Sequence, residues 1–178
     1  CSFFTNEYFI VGFVCIGYLT YKKAPFAKAL YILLFTMMLN PYLKSLYQVP
    51  LNPEIGKIGW AFPSGHMQTA CVFWLWLAYE VRKPLMSLAC AVLLIGVGAS
   101  LLHFHYHTLH DILAAVGFAL ATIVIYAEAC RYTPTRLYPY LGVFMALIGL
   151  VLIYVTPDEG PYVWTAQGAL TGFALGWA

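Results

Sequence analysis

The chain has 178 residues, of which 62% are hydrophobic and 9% charged, with a mean hydropathy of +0.79. Soluble domains carry about a quarter charged residues, so a solvated globular surface is excluded and the chain reads as an integral membrane protein. A formal net charge of +2 is too small to argue for nucleic acid as a partner.

In chain order, apolar runs suited to single helical crossings lie near residues 3–21, 27–46, 65–82, 85–103, 109–130, 138–156 and 161–178. They predict an all-α, polytopic transmembrane bundle of about six or seven spans, treated as one domain over 1–178 with its core near 27–130. The runs are too continuous for the in–out alternation of a membrane barrel. Lys22, Lys23 and Lys28 mark the first connection, and Lys44 sits near the end of the second run in NPYLKSLYQVPLNP. The longest connection, about 45–64, holds Pro, Gly and Trp rather than Ser-rich filler, which suggests the cover of a site. FPSGH opens the third run, Arg82 and Lys83 follow it, and SLLHFHYHTLHDILAA bridges the fourth and fifth. Arg131 and Arg136 lie in the next connection, and Pro157 and Pro161 bound the last. Cys1, Cys15, Cys71, Cys90 and Cys130 show no metal-ligand spacing and read mainly as small core hydrophobes. The chain starts at Cys1 without Met and ends in apolar GALTGFALGWA, so both ends read as trimmed, processed or fragmentary.

The basic residues fix an orientation. Seven of the nine lie in the odd-numbered connections, and only Lys44 and Lys57 lie in the even ones. By the positive-inside rule the odd connections are cytoplasmic and the even ones face outward. All five histidines, His66, His103, His105, His107 and His110, fall on the outward side.

That side carries a polar constellation. His107 and Asp111 are four residues apart, a spacing that shares one helical face and lets a carboxylate hold one ring nitrogen while the other keeps its lone pair. Pro63-Ser64-Gly65 ahead of a helix offers backbone N–H groups and a hydroxyl to an anion. Lys44 adds a point charge, and His66 a proton donor. Each has an ordinary reading: an interfacial anchor, an N-cap, a snorkelling lysine. Their gathering on one side is what points to a site. A rival reading makes His103, His107 and Asp111, spaced by four, ligands for zinc or a similar ion. Against it, the helix should break between the fourth and fifth runs and Lys44 would repel a cation.

The ordered set resembles the type 2 phosphatidic acid phosphatase superfamily of membrane lipid phosphatases and their relatives. That family's pattern is Lys, six residues, Arg-Pro; then Pro-Ser-Gly-His; then Ser-Arg, five residues, His, three residues, Asp. Here Lys44 matches the first part, Pro63, Ser64, Gly65 and His66 the second, and Ser100, His107 and Asp111 the third, over about residues 36–118. Leu51-Asn52 stands where the family has Arg-Pro, and Leu101 where it has the second Arg. Leu cannot replace a guanidinium fork on phosphate, and losing one such donor costs on the order of 10²–10³ in rate. His103, His105, His110 and Lys57 are donors near enough in sequence to be considered in their stead.

The resemblance implies a lipid phosphate or pyrophosphate phosphatase working through a phosphohistidine on His107, without metal or cofactor. Asp111 would orient His107, His66 would serve as acid and base, and Lys44, Ser64 and Gly65 would bind phosphate. Ser100, His103, His105 and His110 would be auxiliary. Two alternatives stay open. One is a lipid phosphotransferase with a lipid hydroxyl as acceptor, which the HTLHD stretch also resembles; the other is a non-catalytic descendant that binds a lipid head group. Compactness points to a bacterial inner membrane, with the site facing the periplasm or exterior.

Overall fold

The computed structural model describes residues 17, 23–53, 58–156 and 160–177. The first expected span, 3–21, lies outside the described residues apart from Gly17, as does Lys57. The described residues form six α-helices and no strands: α1 (Lys23–Tyr47), α2 (Gly65–Val81), α3 (Pro84–His103), α4 (Leu109–Tyr132), α5 (Tyr138–Val155) and α6 (Pro161–Trp177). A short 3-10 turn at Thr135–Leu137 precedes α5. The protein is an all-α membrane bundle.

Local chemistry sets the helix ends. Ser64 caps α2, Pro84 occupies the first turn of α3, and Thr108 with Asp111 forms a capping box on α4. α2 stops at Arg82, which takes a left-handed conformation (φ 53°) and donates its N–H to the Ala78 carbonyl. α1 runs through Pro41, a residue membrane helices tolerate when neighbouring groups cover the freed carbonyl.

α1, α3, α4 and α5 are long and apolar enough to cross a bilayer. α2 and α6, with 17 residues each, sit at the lower end of crossing length. The apolar surface is distributed accordingly. α2 is turned inward, with Cys71, Val72, Phe73, Trp76 and Leu77 all buried. α3, α4 and α5 expose Leu88, Val92, Ile95, Leu113, Val124, Leu147 and Val151, a surface suited to lipid rather than water.

α1 and α2 form the central pair. α3 and α4 pack on α2, while α5 and α6 pack on α1 and on each other. The second group sits close because α5 presents glycines. A Cβ at Gly142 would meet the Tyr31 ring at 2.6 Å, and one at Gly149 would meet Gln167 Oε1 and the Met38 methyl at 2.6 Å. Gln167 Nε2 then reaches across to donate to the Ala146 carbonyl at 3.0 Å.

Candidate active site

The outward-side motifs meet at one end of the central pair. α1 ends at Gln48, whose backbone turns left-handed (φ 49°) with its N–H donating to the Lys44 carbonyl at 2.9 Å. The chain then doubles back as a small ribbon: Leu51 N–H donates to the Gly59 carbonyl at 3.0 Å, and Ala61 N–H to the Val49 carbonyl at 2.7 Å. Gly59 sits at φ 153°, a conformation a side chain would strain. The ribbon brings the Trp60 carbonyl over Lys44, which donates to it from Nζ at 2.8 Å. The long connection thus forms a wall of the site, through Val49, Pro50, Asn52 and Ala61.

Ser64, at the start of α2, donates its backbone N–H to the Asp111 carbonyl at 3.2 Å. That bond sets the N-termini of α2 and α4 side by side, so their orphan N–H groups and positive dipole ends face the same region. Asn40, on the buried face of α1, braces the junction, donating to the Pro63 carbonyl at 3.3 Å and to Gln68 Oε1 at 2.8 Å. Its amide lies so close to α2 that a Cβ on Gly65 would meet Asn40 Oδ1 at 2.8 Å. Gly65→Ala is therefore expected to force that buried amide aside and to destabilise the fold by about 1–3 kcal/mol. Thermal unfolding in detergent reads the loss, and an unchanged midpoint would show that Asn40 is not held where its bonds place it.

Ser100 ends one turn before the close of α3, and the chain crosses to α4 through residues 104–108, with His105 left-handed at φ 54°. His107 therefore precedes α4, and the N-cap is Thr108. The expected shared helical face is replaced by a cap. Asp111 Oδ2 accepts from Thr108 N–H at 2.8 Å, and Thr108 Oγ1 accepts from Asp111 N–H at 3.3 Å. His107 Nδ1 stands 3.9 Å from the same Oδ2, an electrostatic contact that needs about 1 Å of closure to become a hydrogen bond. Nδ1 is buried with no hydrogen-bond partner among the described residues.

A cavity of about 500 Å³ opens here, lined by Val49, Pro50, Asn52, Ala61, Leu102, His105, Tyr106, His107, Thr108, His110 and Asp111. Burial, followed by the positive charge of Lys44, pushes the His107 pKa down from 6.5 to about 4, with His66 adding to the decrease. The Asp111 carboxylate and the Ala61 backbone pull the other way without prevailing. Lys44 and His66 thus lie within electrostatic reach of His107, and the ring is neutral at physiological pH.

Not every residue singled out from the sequence reaches the cavity wall. His105, His107, His110 and Asp111 do. Ser64 is fully buried, with its Oγ turned to Met67 N–H at 3.5 Å. His66 is exposed beside Thr69, whose hydroxyl donates to its carbonyl at 3.3 Å. His103, edge-on to Phe104, and Ser100, whose carbonyl accepts from Phe104 N–H, are not among the lining residues. The helix break separates His103 from His107, and no three His, Cys, Asp or Glu among the described residues gather as a metal site.

Neither leucine at an arginine position lines the cavity. Leu51 packs over Gly59, its Cδ1 3.3 Å from where a Cβ there would stand, and Leu101 packs against the apolar core. His110 is fixed by stacking on Phe62, with ring centroids 5.0 Å apart. Three contributors were not singled out from the sequence: Asn40, Tyr106 and Thr108. Asn40 carried a signal, being an amide inside an apolar run four residues before Lys44. Tyr106 and Thr108 carried none, since aromatic and hydroxyl residues are ordinary in a turn.

No curated protein and no solved structure matches the chain significantly. A family model, the PAP2 superfamily, matches residues 25–134, which take in all but the first two residues of α1, all of α2 to α4 and every motif residue described above. The chain belongs to the PAP2 superfamily, that is, the type 2 phosphatidic acid phosphatase superfamily.

Proposed function

We propose that the protein hydrolyses the phosphate or pyrophosphate of a membrane lipid through a phosphohistidine on His107. The observation that carries this reading is the environment of His107: a neutral, largely buried imidazole beside Asp111, on the wall of a cavity of about 500 Å³ and within reach of Lys44 and His66. The head group enters the cavity while the tails stay among the spans. His107 attacks phosphorus in line, and the bond to the leaving oxygen breaks as His66 protonates it. Water, deprotonated by His66, then attacks phosphorus and releases His107 and inorganic phosphate. Asp111 orients the ring and balances its developing charge. Lys44 and the Gly65 N–H hold the phosphoryl oxygens; Ser64 joins them only by giving up Met67. His105 and His110, both on the wall, supply the donors that the absent arginines would have supplied. The excess of Lys and Arg at the other end supports a site on the outward face; the proposed setting is a bacterial inner membrane with the site on the periplasmic side.

The test is phosphate release from phosphatidic acid, phosphatidylglycerophosphate and a polyprenyl pyrophosphate, with labelled donor and with or without lipid hydroxyl acceptors. Release of free phosphate together with an acid-labile phosphohistidine is expected. Label appearing on the acceptor lipid would make the protein a phosphotransferase. Binding with no turnover and no trapped phosphoenzyme would make it a head-group binder, the reading that Leu51 and Leu101 favour.

The depressed His107 pKa sets the pH dependence. The nucleophile stays neutral down to about pH 4, so kcat/KM should hold through pH 5–6 and fall only towards pH 4. An acidic limb centred near 6.5 would show that an unperturbed imidazole controls the rate. Stability follows the same sign. The unfolded ring binds its proton near pH 6.5 and the folded one near 4, so this contribution is complete above 6.5 and is lost as pH falls towards 4.

A further inference from the structure

The opposite end of the bundle holds a second polar cavity, of about 560 Å³, walled by Lys28, Trp76, Tyr79, Glu80, Arg82 and Arg131 with Glu128 beside them. Lys28 and Lys44 are sixteen residues apart on α1, about 24 Å at 1.5 Å per residue, so this cavity is separate from that of His107. Its charges are partly committed. Lys28 Nζ pairs with Glu80 Oε1 at 3.0 Å, and Arg131 approaches Glu128 at 3.7 Å. Arg82 lies over the Tyr79 ring, 5.7 Å from its centroid, and no carboxylate pairs with it among the described residues. Three cations against two carboxylates leave one net positive charge on the wall.

Trp76 adds an independent observation. It is fully buried, packed on Tyr126 with ring centroids 4.7 Å apart, and its Nε1–H has no acceptor among the described residues. A buried N–H without an acceptor is costly, so one is expected from outside the described chain. A single net positive charge, a guanidinium without a carboxylate partner and an orphan N–H donor select an anion with several acceptor oxygens.

We propose that this cavity is a second anion site that takes a phosphate group, carried by a phospholipid head group or present as free phosphate. Its oxygens accept from Arg82 and, after a small turn of the buried indole into the cavity, from Trp76 Nε1, leaving the Lys28–Glu80 pair intact. Basic pockets between helices at this depth are suited to anionic head groups, and the exposed Tyr79 is placed as an interfacial anchor.

Phosphatidylglycerol is a phosphodiester, so it offers the phosphate without a monoester for the His107 site to cleave. The full chain in neutral detergent would be titrated with phosphatidylglycerol, with diacylglycerol (tails but no phosphate) and with inorganic phosphate. Bound molecules are counted by native mass spectrometry and stabilisation is read by thermal unfolding. Phosphatidylglycerol should be retained and raise the unfolding midpoint where diacylglycerol does not. Trp76→Phe and the surface double variant Arg82→Gln/Arg131→Gln should each weaken retention about ten-fold, and Lys44→Ala should not. Inorganic phosphate protecting as well as the lipid, with the same sensitivity to Trp76→Phe, would support the site with free phosphate as its ligand. Equal retention of diacylglycerol, binding unaltered in the double variant, or loss on Lys44→Ala instead would each overturn it. Should Trp76→Phe fail to fold, the double variant decides alone.

Discussion

His107→Ala is expected to abolish phosphate release from lipid phosphates, by at least about 10³-fold in kcat, while the helical fold survives. The size follows from the role proposed for the ring. It is the group that bonds to phosphorus, and a positioned anion site with no nucleophile retains only binding and electrostatic catalysis. The fold should tolerate the change because His107 lies in the turn before α4 and caps nothing. The ends of α3 and α4 rest on other groups, chiefly the Thr108–Asp111 box. The measurement is single-turnover phosphate release with circular dichroism on the same sample. Turnover within ten-fold of the parent would remove His107 as nucleophile. A trapped phosphoenzyme lost in this variant would tie the covalent step to His107.

Asp111→Asn should lower kcat by about 10²–10⁴-fold with little change in the unfolding midpoint. The amide oxygen of Asn can still accept from Thr108 N–H, so the cap on α4 persists, and the backbone bond from Ser64 N–H to the carbonyl of residue 111 is untouched. What is lost is the negative charge 3.9 Å from His107 Nδ1. That charge raises the His107 pKa against burial and Lys44, so removing it should also move the acidic limb of kcat/KM below its parent position. A purely structural Asp111 would show the reverse pattern, with activity near normal once the cap is kept. The two readouts together separate orientation of the nucleophile from support of the helix.

Most of the fold was legible in the residues. Six of the seven expected runs coincide with α1 to α6 to within a few residues, because a stretch of apolar side chains long enough to cross lipid must satisfy its own backbone, and only a helix does so within one segment. The caps were legible for the same local reason, as Ser64 and the prolines act on their immediate neighbours. Less legible was which helix is central. α2 and α3 are both rich in apolar residues, yet α2 is largely buried and α3 turns Leu88, Val92 and Ile95 outward. Hydropathy does not distinguish protein from lipid as a covering, since both are apolar.

The motif residues and the family were carried by the sequence alone, because Lys44, Pro-Ser-Gly-His and the Ser100–His107–Asp111 set keep their order and spacing. The two lost arginines were equally plain. Only the tertiary structure decided how those residues stand to one another. It put His107 outside α4 rather than on its face, because Thr108 takes the cap and draws the Asp111 carboxylate to its own N–H. It placed His105 and His110 on the cavity wall and left His103 off it, and it turned Leu51 and Leu101 into packing. Spacing along one chain specifies local geometry over a turn or two. Which groups share a hollow depends on bonds such as Ser64 N–H to the Asp111 carbonyl, and those join segments that only the packed bundle brings within reach.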